Sequence, residues 1–186
     1  MGDLLNQVSE PTTDSELEDT SQYLTFLAGK ETFAIGILDV KEIIEVSNMT
    51  NVPMTPDHIH GVINLRGSVV PVIDLSSRLG GCTSALTKRS CIILVEVELE
   101  HEYHSIGMLV DEVNEILEIN QDHIQPPPNF GTDIRTDFIQ AMGRVDSEFI
   151  VLLAINNVLS VEELAQLDEL TQSQPPPPAS DDRQYE

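Results

Sequence analysis

Four histidines stand in two short clusters whose side chains are of the kind that bind metal ions. DHIH contains Asp57, His58 and His60, and HEYH contains His101 and His104. A zinc site needs three or four such ligands around one ion at about 2 Å. Residues i and i+2 of a strand face the same way, which would let His58 and His60 converge, but the second pair spans a predicted hairpin turn. We interpret the histidines as solvated, and a metal-dependent hydrolase stays a minor alternative.

The usual signatures of a catalytic site are missing from the sequence. It contains no nucleophile elbow and no phosphate-binding glycine loop, and Cys82 and Cys91 lack a CxxC spacing, so both are expected to be free thiols. Neighbouring acids such as Asp111 and Glu112 resemble the carboxylate pairs of glycosidases. A chain with 32 acidic residues produces such pairs by composition alone. The sequence therefore predicts a protein that is not an enzyme and has no cofactor or metal.

Arg66 is one of only nine basic residues, and a glycine, Gly67, follows it. The pair stands between the apolar segments GVINL and SVVPVIDL, which indicates the tip of a β-hairpin. One interpretation is structural: Arg66 forms a surface ion pair with a nearby acid, worth about 0 to 1 kcal/mol. The other is functional: a permanently charged, planar group is displayed to the carboxylates or carbonyls of a partner. The residues alone leave both interpretations open.

The chain is strongly acidic, with a formal net charge of −23. Nucleic acid is excluded as a partner because binding to phosphates needs clustered Lys and Arg. No apolar run reaches the roughly 18 to 20 residues of a membrane span, and the N-terminus is acidic where a signal peptide is basic, which predicts a cytoplasmic protein. Residues 1–20 are expected to be a disordered acidic arm. Residues 171–186, with four prolines at 175–178, are expected to be a disordered proline-rich tail.

An internal repeat organises the chain between these ends. The segment Ile35–Val46, IGILDVKEIIEV, returns as IGMLVDEVNEILEI at Ile106–Ile119. Because a unit of about seventy residues buries too little surface to be comfortably stable alone, we expect two similar subdomains packed on each other. Their approximate ranges are 21–88 and 89–170.

Gly and Pro residues typical of turns recur at short intervals along the chain. Segments rich in Ile and Val alternate with Gly and Pro turns every eight to twelve residues or so, which predicts an all-β fold. Closed barrels are favoured over open sheets because short strands must hide their edges. Ser160 and Glu163 form a capping-box pattern, which predicts a short C-terminal helix.

One stretch is specific enough to indicate a family. HIHGVINLRGSVVPVIDL, preceded by FAIGILDVKEIIEV and followed by IGMLVDEVNEIL, resembles the CheW family of bacterial chemotaxis coupling proteins, over about residues 23–167. The resemblance implies a CheW-like domain at 21–170 made of two stacked five-stranded SH3-like barrels. It also implies a non-enzymatic adaptor that couples the cytoplasmic tips of transmembrane, methyl-accepting chemoreceptors to the regulatory domain of a chemotaxis histidine kinase, recruited to membrane-associated arrays. An adaptor of a pilus-motility or other chemosensory pathway is the alternative.

The resemblance also implies site residues. Its receptor-binding positions correspond to seven residues of the first half: Ile37, Val40, Glu42, Ile43, Gly61, Arg66 and Gly67. In the family, the residues matched by Glu42 and Arg66 are associated with a functional ion pair. Its kinase-binding positions correspond to Gln125, where the family often has an arginine, and to Phe130.

Overall fold

The computed structural model describes residues 19–128 and 137–159, together with 162–163, 165–166 and 169. These ranges are mostly β-structure with two one-turn helices, α1 (Leu75–Arg78) and α2 (Ile155–Val158), and further helical residues between 162 and 169. The strands are β1 (Thr20–Ala28), β2 (Glu31–Gly36), β3 (Val40–Glu45), β4 (Ile59–Leu65), β5 (Ser68–Asp74), β6 (Cys91–Leu99), β7 (Glu102–Val110), β8 (Glu112–Asn120), β9 (Ile124–Gln125), β10 (Ile139–Val145) and β11 (Glu148–Leu153). The all-β prediction is confirmed.

Four tight hairpins are the local building blocks of the fold. They join β1 to β2, β4 to β5, β6 to β7 and β10 to β11. In three of them both turn residues have positive φ, as the favoured two-residue hairpin turns require: Arg66–Gly67, Glu100–His101 and Asp146–Ser147. The sequence predicted the hairpin turn at Arg66–Gly67, where a glycine supplies one of the two positive φ values.

The hairpins assemble into two sheets, and each sheet takes strands from both halves of the chain. The six-stranded sheet has the order β8-β1-β2-β11-β10-β9, and the five-stranded sheet has the order β3-β6-β7-β5-β4. Neither sheet is confined to one of the predicted ranges 21–88 and 89–170. After β2 the 3-10 turn Ile37–Asp39 carries the chain into the other sheet, where β3 pairs with β6. After β7 the chain crosses back at Asp111, and β8 pairs with β1.

The duplication is visible in the geometry although the halves exchange strands. Both copies of the repeated sequence lie where the chain passes from one sheet to the other. The hairpins that follow are also equivalent. The carbonyl of His58, before β4, accepts a hydrogen bond of 2.8 Å from the amide of Asp74, and the carbonyl of Phe138, before β10, accepts one of 2.9 Å from the amide of Ala154. Asp74 and Ala154 are the N-cap residues of α1 and α2.

Within the described ranges, buried apolar side chains form three clusters. One fills the five-stranded barrel and includes Ile63, Val72, Ile92 and Leu109. A second fills the six-stranded barrel and includes Tyr23, Ile119, Ala141 and Leu152. The third and largest takes side chains from both sheets, among them Leu24, Phe26, Ile35, Ile73, Ile93, Met108 and Leu153. Burying one such side chain contributes about 1.5 to 3 kcal/mol, so the two barrels stabilise each other through this shared core.

The remaining predictions about the fold concern the two ends of the chain. Asp19 and Thr20 of the predicted arm are described, and Thr20 belongs to β1, whereas residues 1–18 and 170–186 lie outside the described residues. Glu162, Glu163, Ala165, Gln166 and Glu169 are helical, as predicted for the C-terminal segment, while the capping residue Ser160 lies outside the described residues. Among the residues that the structure describes, no helix is long and apolar enough to cross a membrane.

Candidate functional site

An exposed ion pair stands at the tip of the β4–β5 hairpin. The guanidinium Nη2 of Arg66 lies 3.0 Å from Oε2 and 3.1 Å from Oε1 of Glu42, which is on β3. The Arg66 side chain remains 75 % exposed and that of Glu42 37 %. The turn itself is fixed by the amide of Gly67, which donates to Oδ1 of Asn64 at 3.0 Å. Because so exposed a pair contributes only about 0 to 1 kcal/mol, its stability contribution does not account for this arrangement.

The apolar residues of the predicted receptor-binding set lie near the crossing from β2 to β3. Ile37 and Val40 are half-buried and pack against the shared core, and Ile43, next to Glu42, is 43 % exposed. Ile37 also lines a groove of about 570 Å³ between the 3-10 turn and the start of β1. Leu38 lines the same groove and is 97 % exposed. Sequence reasoning did not single out Leu38, because it stands in the apolar run FAIGIL and nothing in that run indicates its exposure.

Gly61 has a different role from its neighbours in the set. It is buried, and a Cβ atom at this position would lie 2.6 Å from the carbonyl oxygen of Thr50. Thr50 exchanges two backbone hydrogen bonds of 2.9 Å with Val62, which joins the segment after β3 to β4 at the edge of the five-stranded sheet. Gly61 therefore supports the site by allowing this close approach, and its interior position keeps it from contacting a partner directly.

The predicted kinase-binding residues are on the other sheet. Gln125 is exposed on the two-residue strand β9, where it is paired with Met142 of β10. Phe130 lies outside the described residues. Glu42 and Arg66 thus lie on the five-stranded sheet, and Gln125 lies on the six-stranded sheet.

A partly buried polar network connects β4, α1 and the C-terminal segment. The Arg78 Nε donates to the carbonyl of Val158 at 2.7 Å, and its Nη2 donates to Oε2 of Glu163 at 3.2 Å. His58 Nε2 lies 3.5 Å from Oε1 of Glu163 but has no hydrogen-bond partner among the described residues. Burial lowers the pKa of His58 below its usual 6.5, opposed by Glu163 and reinforced by Arg78.

The other candidate chemistry is not assembled into a site. No group of three His, Cys, Asp or Glu side chains placed to hold a metal ion occurs among the described residues. Cys82 and Cys91 are free thiols, as predicted. Burial and, to a smaller extent, the nearby Glu45 raise the pKa of the Cys91 thiol, which makes it a poor nucleophile.

Comparison with known proteins identifies the family of the chain. The family model described as "CheW-like domain" matches residues 22–174. The chain belongs to the CheW family. It is 32 % identical to the chemotaxis protein CheW of Klebsiella aerogenes over 152 residues, which cover 82 % of this chain and 89 % of the relative. A probable chemotaxis protein CheW of Rhizobium etli is 34 % identical over 142 residues, covering 76 % and 89 %.

A solved structure has the same fold. The scaffolding protein TtCheW of Thermoanaerobacter tengcongensis superimposes with a TM-score of 0.67 at 33 % identity, over 77 % of this chain and 94 % of TtCheW. The protein PilI of Pseudomonas aeruginosa is 32 % identical over 88 residues, which cover 47 % of each chain. CheW proteins thus match most of this CheW-like chain, whereas PilI matches less than half of it.

Proposed function

We propose that this CheW-like chain is a non-enzymatic adaptor that couples transmembrane chemoreceptors to a chemotaxis histidine kinase. The observation that carries the proposal is the exposed Glu42–Arg66 ion pair at the tip of a rigid hairpin. A guanidinium held in a fixed direction, 75 % exposed and beside the partly exposed Ile43, suits recognition of a polar and apolar protein surface. The receptor-binding surface is formed by Ile37, Val40, Glu42, Ile43, Arg66 and Gly67, with Gly61 supporting it from within.

The kinase regulatory domain binds the other sheet, at the surface that contains Gln125. Separate surfaces allow one adaptor molecule to hold receptor and kinase at the same time. Each contact can be weak, because an array of receptors holds the components at high effective concentration. The adaptor acts in the cytoplasm at membrane-associated arrays, and it needs neither a cofactor nor a metal for this task.

Two alternatives receive less support. An adaptor of a pilus-motility pathway would use the same surface for other clients, but PilI matches only 47 % of the chain, whereas the chemotaxis protein of K. aerogenes matches 82 %. A metal-dependent hydrolase would need three converging ligands, and the described residues provide no such group.

The replacement Arg66→Ala tests the proposal directly. The ion pair contributes little to folding, so the free energy of unfolding should fall by no more than about 1 kcal/mol. Receptor-dependent activation of the kinase, measured with the organism's own receptor and kinase in membranes, should fall at least about tenfold, because losing one anchor residue of an interface costs more than 1 kcal/mol. The matched control is Arg89→Ala, which removes an equally exposed arginine paired with Glu112 and should leave activation unchanged.

A charge swap separates recognition from local structure. Glu42→Arg combined with Arg66→Glu keeps an ion pair at the hairpin tip but reverses it. We expect the swapped chain to fold and still fail to activate the kinase, because the receptor contacts the guanidinium itself. Full activation by Arg66→Ala, or a collapse of its melting temperature, would contradict the proposal.

A further inference from the structure

The register of three neighbouring strands brings a second arginine close to Gln125. Met142 of β10 is paired with Gln125 of β9 on one side and with Val151 of β11 on the other. Two residues further along β10, Arg144 is paired with Phe149 of β11. Residues paired in an antiparallel ladder lie on the same face of the sheet, and so do residues i and i+2 of one strand. All five side chains therefore lie on one face.

This face lies opposite the interior of the six-stranded barrel, and Val151 on it packs against the shared core. Gly143, which lies between Met142 and Arg144, points inward, because a Cβ atom there would lie 3.0 Å from Cδ1 of Ile119 in the barrel core. Its neighbours on β10 must consequently point outward. Arg144 is exposed, and Phe149 is 56 % exposed.

Arg144 differs from the other arginines of the described chain. Arg66, Arg78 and Arg89 each form an ion pair with a glutamate. Arg144 forms no ion pair with the residues that the structure describes, in a protein where acidic residues outnumber basic ones by 32 to 9. An unpaired guanidinium beside an exposed aromatic ring combines two residue types that are enriched at the energetic centres of protein interfaces. Its charge complements a carboxylate on the partner.

From this arrangement we propose that Arg144 and Phe149 extend the kinase-binding surface from Gln125, and that Arg144 supplies its positive charge. The inference rests on the proposed function and specifies the partner: the part of the kinase regulatory domain that binds here presents a carboxylate next to apolar side chains. Diagonal neighbours in a ladder lie about 7 to 8 Å apart, within reach of long side chains. The arginine that CheW proteins often have at the position of Gln125 is thus replaced by one on the adjacent strand.

The test measures binding of the full-length chain to the purified regulatory domain of the organism's kinase by calorimetry. Arg144→Ala should raise the dissociation constant about tenfold, the size expected for an interfacial anchor, and Arg144→Glu should raise it further. Arg89→Ala, which removes an exposed arginine from another surface, should leave it unchanged. Receptor binding should be unaffected in all three variants, and their melting temperatures should match that of the wild type.

A rescue experiment distinguishes recognition from a general effect on charge or folding. Gln125→Arg in the Arg144→Ala background returns a guanidinium to the same face and should recover most of the lost affinity. If Arg144→Ala binds the kinase domain as the wild type does, or if the loss equals that of Arg89→Ala, the inference is wrong while the proposed function stands. If the wild type itself does not bind the domain, the kinase-coupling role fails, and this inference fails with it.

Discussion

The hairpins β4–β5 and β10–β11 occupy equivalent places in the two halves, and they differ mainly in their side chains. Their turns have nearly the same backbone conformation, with φ of 51° and 88° at Arg66 and Gly67 and of 46° and 69° at Asp146 and Ser147. The first tip carries a cation paired with Glu42, whereas the second tip carries an acid. The two hairpins thus share a backbone conformation and carry opposite charges at their tips.

The residues that support the two hairpins also differ. Before β4 stands His58, whose counterpart before β10 is the apolar Phe138, packed against the shared core. The buried Gly61 corresponds to Ala141, since each lies at the register shift of its hairpin. The supporting positions therefore differ in kind: the first hairpin has a histidine and a closely approached glycine where the second has a phenylalanine and an alanine.

The largest effect is expected from separating the halves. Fragments 1–85 and 86–186, cut within the segment 80–88, should each fail to fold alone, because every sheet needs strands from both halves. The two fragments expressed together should assemble and give a single cooperative melt by circular dichroism. A cooperative transition in either fragment alone would show that the hairpins do not depend on the exchange of strands.

The next largest effect concerns the close approach at the first hairpin. Gly61→Ala places a methyl group against the carbonyl of Thr50, which should lower the free energy of unfolding by about 3 kcal/mol. The reciprocal change Ala141→Gly removes a methyl group from the second hairpin and should cost only about 1 kcal/mol. Urea denaturation measures both. Equal losses in the two variants would mean that the hairpins are constrained alike.

The smallest effect is a difference in pH dependence. Burial lowers the pKa of His58 in the folded state, so below pH about 6.5 the unfolded chain binds a proton that the folded chain resists. Stability is therefore lost as pH falls through 6.5, down to the folded pKa. His58→Phe, which copies the second hairpin, should reduce this loss without lowering stability at pH 7, because His58 Nε2 has no hydrogen bond among the described residues to give up.

A reciprocal variant serves as its control. Phe138→His places a titratable group at the equivalent position of the second hairpin, where it should add to the loss of stability at acid pH. Melting temperatures between pH 5 and pH 8 measure both changes. If His58→Phe retains the wild-type pH profile, the acid sensitivity has another origin.

The sequence predicts those parts of the fold that depend on neighbouring residues. The turn at Arg66–Gly67 follows from local residue types, and the repeat follows from direct comparison of Ile35–Val46 with Ile106–Ile119. The pairing of β3 with β6 could not be predicted in this way, because the packing of the whole core decides which distant strands pair. A division into two consecutive barrels fits the repeat equally well.

The candidate site also has parts that the sequence indicates and parts that only the structure shows. The pairing of Glu42 with Arg66 was implied by the family resemblance, and the structure contains it. The role of Gly61 required knowledge of where Thr50 lies. Arg144 was missed because its proximity to Gln125 depends on the register of a two-residue strand, which no periodic pattern can reveal.

The exchange of strands between halves also has a consequence for synthesis of the protein. Phe33 of β2 pairs with Val151 of β11. We therefore expect the six-stranded sheet to remain incomplete while about 120 further residues are synthesised. At common ribosomal speeds of about 5 to 20 residues per second, this takes about 6 to 24 s. Throughout that interval the first half exposes apolar faces that it will later bury. Neighbouring nascent chains repel one another through their acidic side chains, so the negative charge already protects the chain from aggregation before it has folded.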